Sequence, residues 1–370
     1  MFVTLTNYWW LLIWMFTGGI FLRVFTLKKR ELVGRQVETR WQILPAMIMV
    51  VPYIIWAGFR GDNFGDTGAY RRMFSEAPNT LGQMSAYLDE ITKDKGFSVI
   101  IVLIKSIFGN SDVGFFLLLA AIQILCVALV FRKYSCDYWF SIFLFIASTD
   151  YFSWAHNGIR QFLAVSIIFA ATGLILKKRY IPAILIILIA ATIHGSALLM
   201  IPIIFIIQGK AWNKKTLLCV LTSIIILLFI GQFTDILDTL LSDTQYKNVV
   251  SDWQSWADDG MNPIRVLVYA IPTLLSLFGY KRIKYEDNPV INIAVNSSIV
   301  STSIALVATG TSGIFIGRLP IYCSMYGYIL LPWEIKHLFK RQMRTTIYAV
   351  AIVCYFVFFY YQMHFAWGLL

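Results

Sequence analysis

The chain has 370 residues, of which 58% are hydrophobic and 14% charged, with a mean hydropathy of +0.69; this excludes an ordinary soluble domain. Its formal net charge of +11 is no argument for nucleic acid, because the basic residues gather in short segments between apolar runs, as membrane insertion requires. The five cysteines are scattered, four of them in apolar runs, and outline neither a disulfide framework nor a metal cluster.

In chain order, apolar runs that read as membrane spans fall near 7–27, 41–59, 112–131, 138–153, 157–176, 216–234, 263–280, 290–309, 317–333 and 345–364. The first lacks a basic leader and a small-x-small cleavage site, so it is expected to span rather than to be cleaved. Residues 97–108 are apolar but short, and read as an interfacial segment or as part of the span that follows. Residues 181–207 would reach about 40 Å as one straight helix, but His194-Gly195-Ser196 and Pro202 interrupt them. They suit either one tilted span or a hairpin of two half-helices.

Charge decides between these two. Lys28, Lys29, Arg30, Arg35 and Arg40 make the first loop cytoplasmic by the positive-inside rule and put the N-terminus outside. With a hairpin at 181–207, 21 of the 31 Lys and Arg fall inside with 6 of the 20 acids. A single straight span would reverse every later loop and place the acidic 235–259 stretch inside. The expectation is an all-α, polytopic membrane protein of about twelve membrane segments, forming a single domain over 1–370 with larger external loops near 60–96 and 235–262. No internal repeat or long linker interrupts it.

With that orientation, the polar groups at span ends sort to one side. The external loop opens with Arg60-Gly61-Asp62-Asn63-Phe64-Gly65-Asp66-Thr67 and continues to Tyr70, its glycines permitting a tight backbone. Arg160 follows His156 and Asn157 at the outer end of its run. There it can snorkel to the headgroups or clamp an anion. His194 falls at the turn of the expected hairpin, with Ser196 placed to cap the second half-helix, whose N–H groups would suit a phosphate. Arg318 opens another run after the loop Thr309-Gly310-Thr311-Ser312-Gly313. Together Arg60, Arg160, His194, Ser196 and Arg318 are expected to form an outward basic pocket for a doubly charged headgroup. The 235–262 loop offers carboxylates with Trp253 and Trp256, groups that suit sugars and that equally anchor an ordinary membrane interface.

Four segments in this order, GFRGDNFGDTGAY (58–70), NGIRQFLA (157–164), ATIHGSALLMIP (191–202) and GRLPIYCSMYGYILLP (317–332), resemble the EpsG-like branch of the Wzy polysaccharide polymerases, whose architecture is related to the GT-C glycosyltransferases. The resemblance runs from about residue 50 to 335 and marks Arg60, Asp66, Tyr70, Arg160, His194 and Arg318; no Asp-x-Asp motif is present, because Asp62 and Asp66 are four apart.

This resemblance implies a glycosyltransferase of the bacterial plasma membrane that polymerises oligosaccharide repeat units at the outer face, donor and acceptor both carried on undecaprenyl diphosphate. It further implies partnership with a chain-length regulator and a flippase of the same pathway. Arg60, Arg160, Arg318 and Ser196 would hold the diphosphate, and Tyr70, Asn157, Trp253 and Trp256 the sugar. His194 or Asp66 would be the catalytic base, with no metal and no cofactor. A flippase, or a ligase moving finished polysaccharide onto another acceptor, would need a similar basic cavity. A flippase should also show paired repeats and polar residues through the full membrane depth.

Overall fold

The computed structural model describes residues 8–33, 36–62, 65–242 and 260–370. The chain divides into two compact units, one of 1–199 with 341–370 and one of 200–340.

In the first unit the 23-residue helix Asp112–Tyr134 packs against the helices Ile43–Gly58 and Ile159–Ala170. Gly58 allows the first of these contacts, since a Cβ there would lie 2.9 Å from the Leu117 Cβ. The core is aromatic, with Tyr53, Phe115, Phe116, Phe131, Trp139, Phe143 and Tyr151 all fully buried. Buried phenols need acceptors, and they find them in helix carbonyls: Tyr53 donates to Leu11 O at 2.6 Å, Tyr151 to Tyr53 O at 2.7 Å and Tyr138 to Ala46 O at 2.7 Å. The C-terminal helix Arg341–Tyr361 returns to this unit, where Tyr348 meets Phe140 edge-on.

Several expected spans are broken. The run 7–27 forms Trp10–Phe16 and Gly18–Phe25, parted at Thr17. The run 138–153 stops at Ala147, and the helix Asp150–Asn157 begins after Thr149, which takes a positive φ of 65°. Helices Ile159–Ala170 and Thr172–Leu176 replace the run 157–176. Among the described residues three helices are long and apolar enough to cross a membrane, or five if each bent pair counts as one span, beside six shorter apolar helices. The architecture is that of a helical membrane protein.

One element departs from the all-α expectation. Lys28–Val33 and Gln36–Trp41 form an antiparallel two-stranded hairpin, with Lys29 opposite Arg40 and Glu31 opposite Glu38. Like charges facing each other destabilise a ladder. Here they are relieved by Arg132, which pairs with Glu31 and donates to Trp41 O at 2.7 Å, and by Arg40, which meets Glu38 at 2.8 Å and Lys133 O at 3.1 Å. The hairpin is thereby fastened to the basic end of Asp112–Tyr134.

The second unit is centred on the helix Pro289–Thr309, which is largely buried. Its polar residues hold a loop: Asn292 accepts from the Ala211 N–H at 3.2 Å, while Asn296 accepts from Trp212 at 3.1 Å and donates to Ile207 O at 2.9 Å. Around it, Lys214–Leu228 bends 103° into Ile230–Leu241, and Pro263–Phe278 bends 73° into Tyr280–Glu286. The start of the expected 235–262 loop is therefore helical. In the helix Gly327–Leu338, Glu334 is fully buried and neither carboxyl oxygen has a hydrogen-bond partner.

Candidate active site

The long apolar stretch breaks where the sequence places the break. The helix Tyr180–Ile193 ends at His194, whose backbone is extended (φ −154°, ψ 116°), and a 3-10 turn, Gly195–Leu199, follows. The His194 Nδ1 lies 2.7 Å from the Ser196 hydroxyl, and that hydroxyl oxygen accepts from Gln161 Nε2 at 3.4 Å. Ser196 thus stands in a short polar chain Gln161–Ser196–His194, and the helix that follows, Met200–Ile206, has only seven residues. Gln161 is nine-tenths buried and sits one position after Arg160.

Arg160 occupies the first turn of Ile159–Ala170, just past the break at Gly158. It does not snorkel freely. Its Nη1 lies 2.8 Å from Asp94 Oδ2 and its Nε donates to the Tyr70 hydroxyl at 3.3 Å, with the guanidinium carbon 5.9 Å from the Tyr70 ring. Asp94 precedes the helix Lys95–Phe108 with a positive φ of 54°. Its side chain is only 7% exposed. Burial pushes the Tyr70 phenol up from its ordinary value, against the opposing pull of Arg160, so the hydroxyl keeps its proton and can donate it.

Two glycines let these segments meet. A Cβ on Gly96 would fall 2.1 Å from Thr192 Oγ1, which brings the first turn after Asp94 against the end of Tyr180–Ile193. Gly65, at φ +63°, would place a Cβ 2.7 Å from the Asn157 Cβ. Asp66 follows it at the start of the helix Thr67–Glu76, where its field acts on both Arg160 and Tyr70. Asp66, Tyr70, Asn157, Arg160, His194 and Ser196 are thereby brought to one end of the first unit.

Arg60 is placed differently. It is buried, and its Nε and Nη1 donate to the carbonyls of Ala57 and Ala155, with the guanidinium 4.7 Å from the Phe116 ring. It ties the end of Ile43–Gly58 to the end of Asp150–Asn157. Asp62 pairs with Arg71, which also meets Asp112 at 2.6 Å and Arg60 O at 3.2 Å. His156, outside any matched segment, stacks among Trp56 and Phe152 and binds Phe152 O at 3.1 Å. Arg318 lies in the 3-10 turn Ile316–Arg318 of the second unit. Trp253 and Trp256 lie outside the described residues.

Reading the sequence by motif passed over Asp94, Gln161 and the Arg71–Asp112 pair. Gln161 carried a usable signal, a polar side chain in an apolar run next to Arg160. Asp94 carried none, because its placement depends on Gly96 meeting a helix nearly one hundred residues away. Among the described residues no three His, Cys, Asp or Glu side chains gather in a way that could hold a metal ion.

No curated protein and no solved structure matches the chain. The model of the EpsG family matches residues 43–367, a span that takes in every segment of the site just described. The chain belongs to the EpsG family, the EpsG-like polysaccharide polymerases.

Proposed function

We propose that this protein polymerises oligosaccharide repeat units carried on undecaprenyl diphosphate, at the outer face of the bacterial plasma membrane. The observation that carries this reading is the grouping at one end of the first unit: a cation held by Tyr70 and Asp94, and an oriented imidazole on Ser196 and Gln161. Arg160 would bind the donor's diphosphate and stabilise the charge that develops as it leaves, in general the largest catalytic term. Tyr70 and Asn157 would face sugar hydroxyls. Arg60 serves this reading by position, fixing the helix ends on either side.

In the chemical step the acceptor hydroxyl oxygen attacks the donor's anomeric carbon, the bond to the diphosphate oxygen breaks, and the hydroxyl proton passes to a base. We assign that base to His194. In the tautomer that carries the ring proton on Nδ1, toward Ser196, Nε2 is the nitrogen that would accept. Purified protein given a lipid-linked repeat unit should yield a ladder of oligomers and free undecaprenyl diphosphate. In cells, deleting the gene should leave single-repeat surface material; loss of all surface sugar would support a flippase instead. Polymer that accumulates on its lipid carrier without transfer would support a ligase.

A further inference from the structure

At the basic end of the first unit an open cavity of about 410 Å³ lies between the ends of Asp112–Tyr134, Ile159–Ala170 and Tyr180–Ile193. Lys133, Lys177 and Arg179 stand around it, and Ile167, Leu174 and Ile186 are among its apolar lining. The turn that builds it is tight. Lys178 takes a positive φ of 55° and the Arg179 N–H closes on Leu174 O at 2.9 Å, so that Lys177 and Arg179 flank one opening. The volume falls in the range of about 300–1,000 Å³ usual for pre-formed ligand sites.

Its charge is uncompensated. The acids at this end are engaged elsewhere: Glu31 by Arg132, Glu38 by Arg40 and Asp137 by Arg23. Among the described residues Lys133, Lys177 and Arg179 have no acidic partner, and all three are exposed. Basic residues at an inner span end follow from membrane insertion alone, and cations favour helix C-termini. Neither effect makes an apolar cavity beneath them. That cavity opens beside a strip of exposed side chains on Tyr180–Ile193, namely Ile181, Leu185, Leu188 and Ile189, at the spacing of one helix face.

We infer that this cavity is a binding site for an anionic phospholipid, with Lys133, Lys177 and Arg179 around the headgroup phosphate and an acyl chain running over Ile167, Leu174 and Ile186 onto the exposed face of Tyr180–Ile193. Three cations above an apolar groove match an amphiphile with a charged head; a basic pocket between helices is a recurrent site for such headgroups. The site is separate from the one assigned to catalysis. It lies at the far end of Ile159–Ala170 from Arg160, about 15 Å along the helix.

The test uses the full-length protein in nanodiscs of phosphatidylcholine, with phosphatidylglycerol or cardiolipin added. Anionic lipid should raise the thermal unfolding temperature. The triple variant Lys133→Gln, Lys177→Gln, Arg179→Gln should bind phosphatidylglycerol at least tenfold more weakly by native mass spectrometry. A control triple elsewhere, Lys281→Gln, Lys284→Gln, Lys340→Gln, should retain binding within twofold. Ile167→Trp, which fills the groove without altering charge, should also weaken binding. Equal losses in both triples would mean general surface charge and overturn the site. An unfolding shift reproduced by inorganic phosphate alone, or binding unchanged in Ile167→Trp, would overturn the lipid assignment.

Discussion

Nη1 of Arg160 lies 2.8 Å from Oδ2 of Asp94, so the cation assigned to the diphosphate has a carboxylate partner within the chain. A carboxylate at that distance opposes an incoming phosphate and also orders the guanidinium. Asp94→Asn keeps an acceptor for Arg160 and removes the opposing charge. Undecaprenyl diphosphate should then inhibit at least fivefold more strongly, while the unfolding temperature falls because a partly buried charge loses its counter-ion. Unchanged inhibition would separate Arg160 from the diphosphate.

Arg160 uses two faces of its fork at once, Nε on Tyr70 and Nη1 on Asp94. Lysine carries the charge as a point and cannot make both contacts. Arg160→Lys should lose at least tenfold in polymerisation with the protein still present in the membrane. Full activity in this variant would remove the side chain from catalysis.

The chain Gln161–Ser196–His194 makes a graded prediction. His194→Ala should lower turnover by a factor of about 10²–10⁴, the usual contribution of a general base. Ser196→Ala should lower kcat several-fold with little change in KM, because the imidazole remains without its orienting hydroxyl. If His194→Ala stays within a few fold of the unsubstituted protein, the base is Asp66 or the substrate itself.

Much of this site was legible in the sequence because its members are polar groups in apolar runs, which bilayers tolerate only with a reason. Arg160 and His194 stood out in that way, as did the break at 194, whereas Tyr70 was marked only by the family resemblance. The partnership of Arg160 with Asp94 was not legible, since it depends on two helix ends meeting through Gly96. Nor was the inward turn of Arg60, which looked from sequence like its fellow arginines but is enclosed by Ala57, Ala155 and Phe116. Hydropathy also misread the spans around 138–176, because it counts apolar residues and is blind to a single Thr149 or Gly158 that stops a helix. The hairpin at Lys28–Trp41 was hidden by its charges, which are satisfied only once Arg132 is folded beside Glu31.

That last pair gives the pH dependence. Arg132, by a hydrogen bond and by its charge, holds the Glu31 carboxyl below its ordinary value of 4.5. A depressed folded-state value means that the pair's contribution is complete above pH 4.5 and is lost as pH falls through the lower, folded-state value. The protection of the amides of the two strands against hydrogen exchange, taken relative to the intrinsic rate at each pH, should therefore fall on acidification below 4.5. Glu31→Gln should show low protection at neutral pH and lose the dependence; a protection profile identical to that of the unsubstituted protein would show that the ion pair does not hold the hairpin.

The short helix that ends at His194 has a consequence for the lipid rather than for the protein. Tyr180–Ile193, with Ile181, Leu185, Leu188 and Ile189 exposed, has 14 residues. Its length is about 21 Å, against a hydrocarbon thickness of about 30 Å. A bilayer meeting so short a face dimples inward beside it. In such a dimple a lipid-borne diphosphate would reach Arg160 by sliding sideways, without being lifted from its leaflet. Turnover should accordingly be fastest in bilayers of short acyl chains and slow as the chains lengthen.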